Sequence, residues 1–167
     1  VENAFWTNVF SRWNTSDNET VLTLKQVPVF HGFTNRDYRE IEKLIHERNY
    51  KPGETVFKRN APGEGMYVIL TGNVEIFMED LSGNKNTLAE LTNGEFFGEL
   101  SLLDDDIRSA TAIATDHSKL LGFFRPDLFS LLERNPELGN KILLNLAKVI
   151  GTRLRKTNEL LTETQQR

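Results

Sequence analysis

The stretch Glu95-Phe96-Phe97-Gly98-Glu99-Leu100-Ser101-Leu102-Leu103, followed after Asp104-Asp105-Asp106-Ile107 by Arg108-Ser109-Ala110-Thr111, decides how this chain is read. Two aromatic residues end a strand, and Gly98 permits a tight turn with close approach of its backbone to a ligand. A short helical turn starting at Glu99 would leave the N–H groups of Leu100 and Ser101 unpaired. Free amides at a helix start bind anions, aided by the peptide dipoles. Glu99 would repel an anion, so its carboxylate is better used to accept hydrogen bonds from sugar hydroxyls. Arg108 starts the next strand, and its planar fork suits two phosphate oxygens at once. Ser109 adds a hydroxyl and an amide. One arginine with several amides matches the single charge of a cyclic phosphodiester.

Outward from this stretch the apolar residues alternate. Thr55–Lys58, Met66–Leu70, Val74–Met78, Thr87–Leu91, Ala110–Ala114 and Lys119–Phe123 are short and β-branched or aromatic, which is strand composition. Ala61-Pro62-Gly63, Thr71-Gly72-Asn73, Leu81-Ser82-Gly83-Asn84 and Thr92-Asn93-Gly94 supply turns between them. The spacing predicts an α+β fold built on an antiparallel β-roll of the double-stranded β-helix or jelly-roll type. On both flanks the period becomes helical. Thr34-Asn35-Arg36-Asp37 reads as a helix start, with Tyr38, Ile41, Leu44 and Ile45 behind it. Arg125-Pro126-Asp127 opens a helix that Asn135-Pro136 ends, and a longer one carries Leu138, Ile142, Leu146, Val149, Ile150, Leu154, Leu160 and Leu161. The expected domain is therefore 21–165, with a helical lead-in over 21–50, the roll over 51–124 and a C-terminal helix pair over 125–165.

Residues 1–20 read as a separate aromatic extension, with Phe5, Trp6, Val9, Phe10 and Trp13 on one helical face. Such a helix would cover its own domain or a dimer partner. The alternative, a membrane-interface or protein-docking helix, has only Arg12 as a basic residue and suits anionic lipid poorly. On the last helix, positions 146, 150, 153, 157 and 160 follow the spacing of a helix-pairing seam, which predicts a homodimer through that helix. A helix lying only on its own roll is the alternative.

Composition narrows the classes. A chain of 167 residues, 38% hydrophobic and 26% charged, is an ordinary soluble domain and too apolar to be disordered. A net charge of −4 argues against broad nucleic-acid binding, and the basic run from Lys148 to Lys156 reads as a solvated helix face. No apolar run suffices for a transmembrane helix, nor do the first residues look like a signal peptide. A cytoplasmic location is expected. The absence of cysteine excludes disulfides and thiolate metal sites. His31, His46 and His117 are dispersed, which disfavours a cupin-like metalloenzyme. Consecutive aspartates cannot easily wrap a cation. With no nucleophile–base pair either, neither a metal nor catalysis is expected.

The opening stretch resembles the phosphate-binding cassette of the cyclic-nucleotide-binding domain family, the type found in catabolite activators and protein kinase A regulatory subunits. The family's core is Gly-Glu-[Leu/Ile/Met]-[Ala/Ser/Gly]-Leu, a short variable loop, then Arg-[Ala/Ser/Thr]-Ala, and Gly98 to Ala110 matches it without gaps. Val27-Pro28-Val29-Phe30 resembles the helices before the roll. Tyr50-Lys51-Pro52-Gly53-Glu54-Thr55-Val56-Phe57 is similar to the first strand, and Gly65 to Val74 to the glycine-turned hairpin. The resemblance spans about residues 21–160 and implies a non-catalytic module that binds cyclic AMP, in preference to cyclic GMP, and signals through its C-terminal helix.

By the same resemblance, Glu99 holds the ribose 2′-hydroxyl and Arg108 the cyclic phosphate, assisted by Gly98, Leu100, Ser101, Ser109 and Ala110. Ile76, Leu88 and Ala89 would line sugar and base. Arg153, Thr157 and Asn158 match an arginine, threonine and serine that face adenine in the catabolite activator branch, from the same or the partner subunit. An equal alternative leaves Thr157 a seam residue and Asn158 solvated. Two departures stand out: Ile107 replaces a usual proline, and Asp104, Asp105 and Asp106 crowd a loop where glycine is common. Their charge predicts weakened affinity, softened by screening over about 8–10 Å. A catabolite-activator regulator would add a helix-turn-helix after the long helix, whereas this chain stops at Arg167, so DNA binding is not expected of it unless it is a fragment of such a transcription regulator, which is one alternative. A scaffold with a vestigial pocket is the remaining alternative, and no effector is legible.

Overall fold

The computed structural model describes residues 18–80 and 82–165, the side chain of Gln165 excepted. The aromatic extension over 1–20 therefore lies outside the described residues up to position 17. Helix α1 (Glu19–Gln26) starts where the Asn18 side chain accepts from the Val21 amide at 3.0 Å, and it buries Val21 and Leu24. A 3₁₀ turn over Pro28–Phe30 follows. Helix α2 (Asn35–Glu42) begins with a capping box: Asp37 N–H donates to Thr34 Oγ1 and Thr34 N–H to the Asp37 carboxylate.

Eight strands come next: β1 (His46–Tyr50), β2 (Thr55–Phe57), β3 (Gly65–Thr71), β4 (Val74–Glu79), β5 (Lys85–Leu91), β6 (Phe96–Phe97), β7 (Thr111–Ala114) and β8 (Ser118–Phe124). They form two four-stranded antiparallel sheets, ordered β1-β8-β3-β6 and β2-β7-β4-β5. The chain passes repeatedly from one sheet to the other, as a roll requires. Two helices close it, α3 (Arg125–Arg134) and α4 (Pro136–Gln165).

Strand β3 explains why the layers stack this way. Gly65 to Leu70 are all buried, and successive side chains of a strand point to opposite faces. Met66, Val68 and Leu70 therefore join Leu24, Phe30, Ile41, Phe123, Leu131, Ile142 and Leu146 in the core between helices and sheet. Tyr67 and Ile69 face the other way and join Val74, Phe97, Ala112 and Leu120 between the two sheets.

The lead-in is shorter than the sequence implies. The helical pattern through Ile45 ends as α2 at Glu42, and His46–Tyr50, placed in the helical lead-in, is strand β1. The roll thus begins before the Pro52 turn. Its first strand is an edge paired only with β8, and Glu47, Arg48 and Asn49 are exposed, so it lacks the alternation that marks a half-buried strand. β6 is only the two aromatic residues Phe96 and Phe97, the strand end expected before Gly98.

Tyr50 ends β1 against the inter-sheet core. Burial, helped by neighbouring Tyr67, pushes its phenol up from 10.0 to about 12. The folded state then holds the proton that the unfolded chain releases near pH 10, so stability falls as pH rises between 10 and 12. Urea unfolding in that window is expected to lose less stability in Tyr50→Phe than in wild type. Tyr67 and Tyr38, raised by burial in the same direction, contribute to the slope that remains.

Candidate functional site

Strand β6 pairs with β3 through Tyr67 opposite Phe97 and Val68 opposite Phe96, then stops at Gly98. Gly98 has φ 77° and ψ 17°, the left-handed region that a glycine enters without cost. A side chain there would also lack room, since a Cβ would stand 2.7 Å from Arg108 Nη1. The chain continues as a 3₁₀ turn over Glu99–Leu102 that buries Glu99, Ser101 and Leu102. This geometry corrects one expectation. The Ser101 amide is not free; it donates to Gly98 O at 3.2 Å, as the i→i+3 pattern of a 3₁₀ turn dictates. The Leu100 amide has no acceptor within the turn.

The return path from this turn is laced to the loop before β3. Ile107 bridges Pro62, Arg108 N–H donates to Ala61 O at 2.8 Å, and Asn60 N–H donates to Arg108 O at 2.9 Å. Arg108 therefore precedes strand β7 by three residues instead of starting it, and its side chain is directed inward, only 5% exposed. The guanidinium donates from Nη1 to Gly98 O at 3.2 Å and Ser101 Oγ at 2.9 Å, and from Nη2 to Gly65 O at 2.8 Å. Its face lies 4.0 Å from the Phe57 ring centroid, and Phe57, Tyr67 and Phe97 are in mutual ring contact beneath it.

All three acceptors of Arg108 are neutral. Among the described residues no carboxylate lies within ion-pair distance of it. Those bonds use at most three of the five N–H donors, and Nε is a buried donor with no partner. Burial pulls the guanidinium below its ordinary range, against the opposing pull of Tyr67, Glu64 and Glu99. An arginine nonetheless stays charged in neutral water.

Glu99 is the other buried charge among the described residues, at 6% exposure. Its Oε1 accepts from Arg153 Nη1 at 2.6 Å, and Arg153 Nη2 donates to Phe96 O at 3.2 Å. The Arg153 guanidinium also stacks 4.6 Å from the Phe96 ring centroid. Helix α4 is thereby fastened to the buried carboxylate of the 3₁₀ turn.

These groups surround a cavity of about 380 Å³, within the size range of small-molecule sites. Gly98, Glu99, Leu100, Ser101, Arg108, Ser109 and Ala110 all line it, as do Ile76, Ala89 and Arg153. Leu88 does not. It is 51% exposed, because neighbouring residues on a strand point to opposite faces and Ala89, paired with Ile76, takes the inner one. Thr157 and Asn158 do not reach the cavity of their own chain either. Both are exposed, and Thr157 Oγ1 donates to Arg153 O at 3.0 Å. Phe57, Leu91, Phe96 and Phe97 complete the apolar wall. Phe57 gives no signal of its role in the sequence, since one aromatic residue in a strand is ordinary core.

The acidic loop divides. Asp104 and Asp106 stand at the cavity, whereas Asp105 pairs with Arg125. Among the described residues no group of three or more His, Asp or Glu is placed to hold a metal ion, and no helix is long and apolar enough to cross a membrane.

The family model "Cyclic nucleotide-binding domain" matches residues 47–135. The chain belongs to the cyclic-nucleotide-binding domain family. It is 36% identical over 135 residues to the cyclic AMP receptor protein of Thermus thermophilus, covering 81% of this chain and 61% of that one. It is 31% identical over 97 residues to the cAMP-dependent protein kinase regulatory subunit of Colletotrichum orbiculare, covering 58% of this chain and 24% of the other. The crystal structure of the Thermus thermophilus catabolite activator protein superimposes with a TM-score of 0.74 at 35% identity, over 83% of this chain and 63% of that one. The chain thus spans less than two thirds of these relatives. What it shares with them is the cyclic-nucleotide-binding domain, and the β-roll with its closing helices is that domain's fold.

Proposed function

We propose that this domain is a non-catalytic, cytoplasmic receiver of cyclic AMP that reports occupancy through helix α4. The buried, partly unpartnered guanidinium of Arg108 carries this reading. A buried cation supplied only with neutral acceptors attracts an anion, and its free donors suit the two exocyclic oxygens of a cyclic phosphate. Glu99 is then the acceptor for a ribose hydroxyl, and Ile76, Ala89 and Leu91 form the apolar bed for sugar and base. The Leu100 and Ser109 amides assist at the phosphate. Cyclic AMP is preferred as the ligand because it is named in the Thermus relative.

Arg153 gives the route outward. A ribose hydroxyl engaging Glu99 changes what the carboxylate offers Arg153, and α4 shifts only to the extent that its two placements differ in ligand affinity. Beyond Thr152, α4 exposes Leu154, Leu160 and Leu161. This supports pairing with a second copy, which would bring Thr157 and Asn158 to a purine they do not reach in one chain. The effector and any nucleic-acid role are left to parts of the signalling system beyond this domain.

Calorimetric titration is expected to give stoichiometric heat with cyclic AMP and a weaker response with cyclic GMP. No heat with either nucleotide would overturn the reading and favour a scaffold whose pocket Asp104 and Asp106 have closed to anions. Stronger binding of cyclic GMP would overturn only the choice of base.

A further inference from the structure

Three consecutive aspartates beside an anion site need an explanation that the ligand reading does not supply. Asp104 and Asp106 stand at the cavity, but Asp105 is turned away and paired with Nη1 of Arg125, the first residue of α3. Arg125 is itself well packed, its side chain 18% exposed against 93% for Asp105.

The same arginine holds the loop that carries the phosphate site. Its Nη2 donates to Gly63 O at 3.4 Å and its amide to Glu64 O at 2.8 Å. Gly63 N–H donates in turn to Asp106 O at 3.2 Å, Pro62 bridges Ile107, and Gly65 O accepts from the Arg108 guanidinium. There is no slack at Gly63, where a Cβ would stand 2.9 Å from Asp106 O and collide with Ser101 Oγ. Residues 60–65 therefore form a strap laced on one side to the cassette and on the other to the start of α3, and Arg125 bonds to the strap and to the cassette loop together.

We propose that Arg125 is a positioning residue for the cyclic-nucleotide phosphate site, acting through Asp105 and Gly63. It draws the Asp105 carboxylate away from the phosphate and neutralises it, and it fixes the strap that sets the place of Arg108. The acidic loop then becomes a tether, tying cassette geometry to the helix from which α4 departs. This rests on the cyclic-nucleotide reading above. By linkage, if nucleotide binding strengthens the tether, forming the tether strengthens nucleotide binding by the same factor, and breaking it weakens that binding.

The test uses the whole chain as wild type, Arg125→Gln, Asp105→Asn and the double variant. In calorimetry with cyclic AMP, Arg125→Gln is expected to bind about three- to tenfold more weakly, because Asp105 is left unpaired near the phosphate. The loss should shrink in higher salt. Asp105→Asn in the Arg125→Gln background is expected to recover the part of the affinity lost to the unpaired carboxylate, while the part owed to the Gly63 bond stays lost; simple damage to α3 would give no recovery. Unchanged affinity in Arg125→Gln, or a loss that Asp105→Asn does not relieve, would overturn the proposal. Amide exchange without nucleotide provides a readout independent of the ligand. The Gly63 and Arg108 amides should exchange faster in Arg125→Gln, and unaltered protection there would sink the tether even if wild type bound neither nucleotide. Absence of wild-type binding together with faster exchange would leave the tether standing and reject the function it serves.

Discussion

Arg108→Ala is expected to weaken cyclic AMP binding by at least about a hundredfold. A hydrogen bond to a charged group contributes about 1.5–3 kcal/mol, and a phosphate taking two guanidinium donors loses both. That is roughly 3–6 kcal/mol, or a factor of about 10² to 10⁴. The fold should suffer less than the binding. Truncation removes bonds to Gly65 O, Gly98 O and Ser101 Oγ, but it also removes the cost of burying a cation with no carboxylate beside it, and the two effects oppose each other. Arg108→Lys separates charge from shape. It keeps the positive charge but replaces the planar fork by a point charge, so an intermediate loss is expected. Titration with cyclic AMP, with thermal unfolding measured alongside, decides the matter. Binding by Arg108→Ala within threefold of wild type would show that the phosphate does not sit there.

How much of this was open to the sequence varies with the range of the interaction. The cassette is short-range: Gly98 to Arg108 are close in sequence, and the turn chemistry with an acid and an arginine beside it follows from residue types and spacing, whereas the burial of Glu99 and Arg108 does not. The strands of the roll were legible where one face or both were buried, as in β3. Strand β1 was not, because an exposed edge of Glu47, Arg48 and Asn49 follows no period. Leu88 lies outside the pocket for a reason the sequence already contains, since two adjacent strand residues cannot both face one pocket. Thr157 is subtler. It shares a helix face with Arg153, four residues earlier, but one turn advances about 5.4 Å along the axis. Periodicity gives the face and says nothing of reach. The aromatic seat of Arg108 on Phe57, the Arg125 tether and the pairing of Glu99 with Arg153 depend on contacts between elements distant in sequence, for which a single chain carries no pattern.

Gly65→Ala is expected to damage the fold and the site together, for reasons of room and not of backbone conformation. Gly65 opens β3 opposite Phe124 of β8. A Cβ there would stand 2.6 Å from Phe124 Cα and collide with the Phe123 carbonyl oxygen. Both atoms are backbone, so no side chain can rotate aside, and the strands must part. Overpacking of this kind costs about 1–3 kcal/mol and occasionally more. The shift also lengthens the bond from Arg108 Nη2 to Gly65 O, now 2.8 Å, and bonds to a charged donor contribute about 1.5–3 kcal/mol. A total near 3 kcal/mol should lower the unfolding midpoint by about 6–12 °C in a chain of this size. Gly83→Ala is the matched comparison. Gly83 has φ 81° but nothing within 4 Å of its Cβ position, so only the left-handed strain of about 1–2 kcal/mol applies, and cyclic AMP affinity should not change. For Gly65→Ala the affinity should fall at least tenfold, because the carbonyl that orients Arg108 belongs to the peptide unit that must move. Equal stability and equal affinity in the two variants would mean that β3 does not seat Arg108, and that the phosphate site is held by the cassette alone.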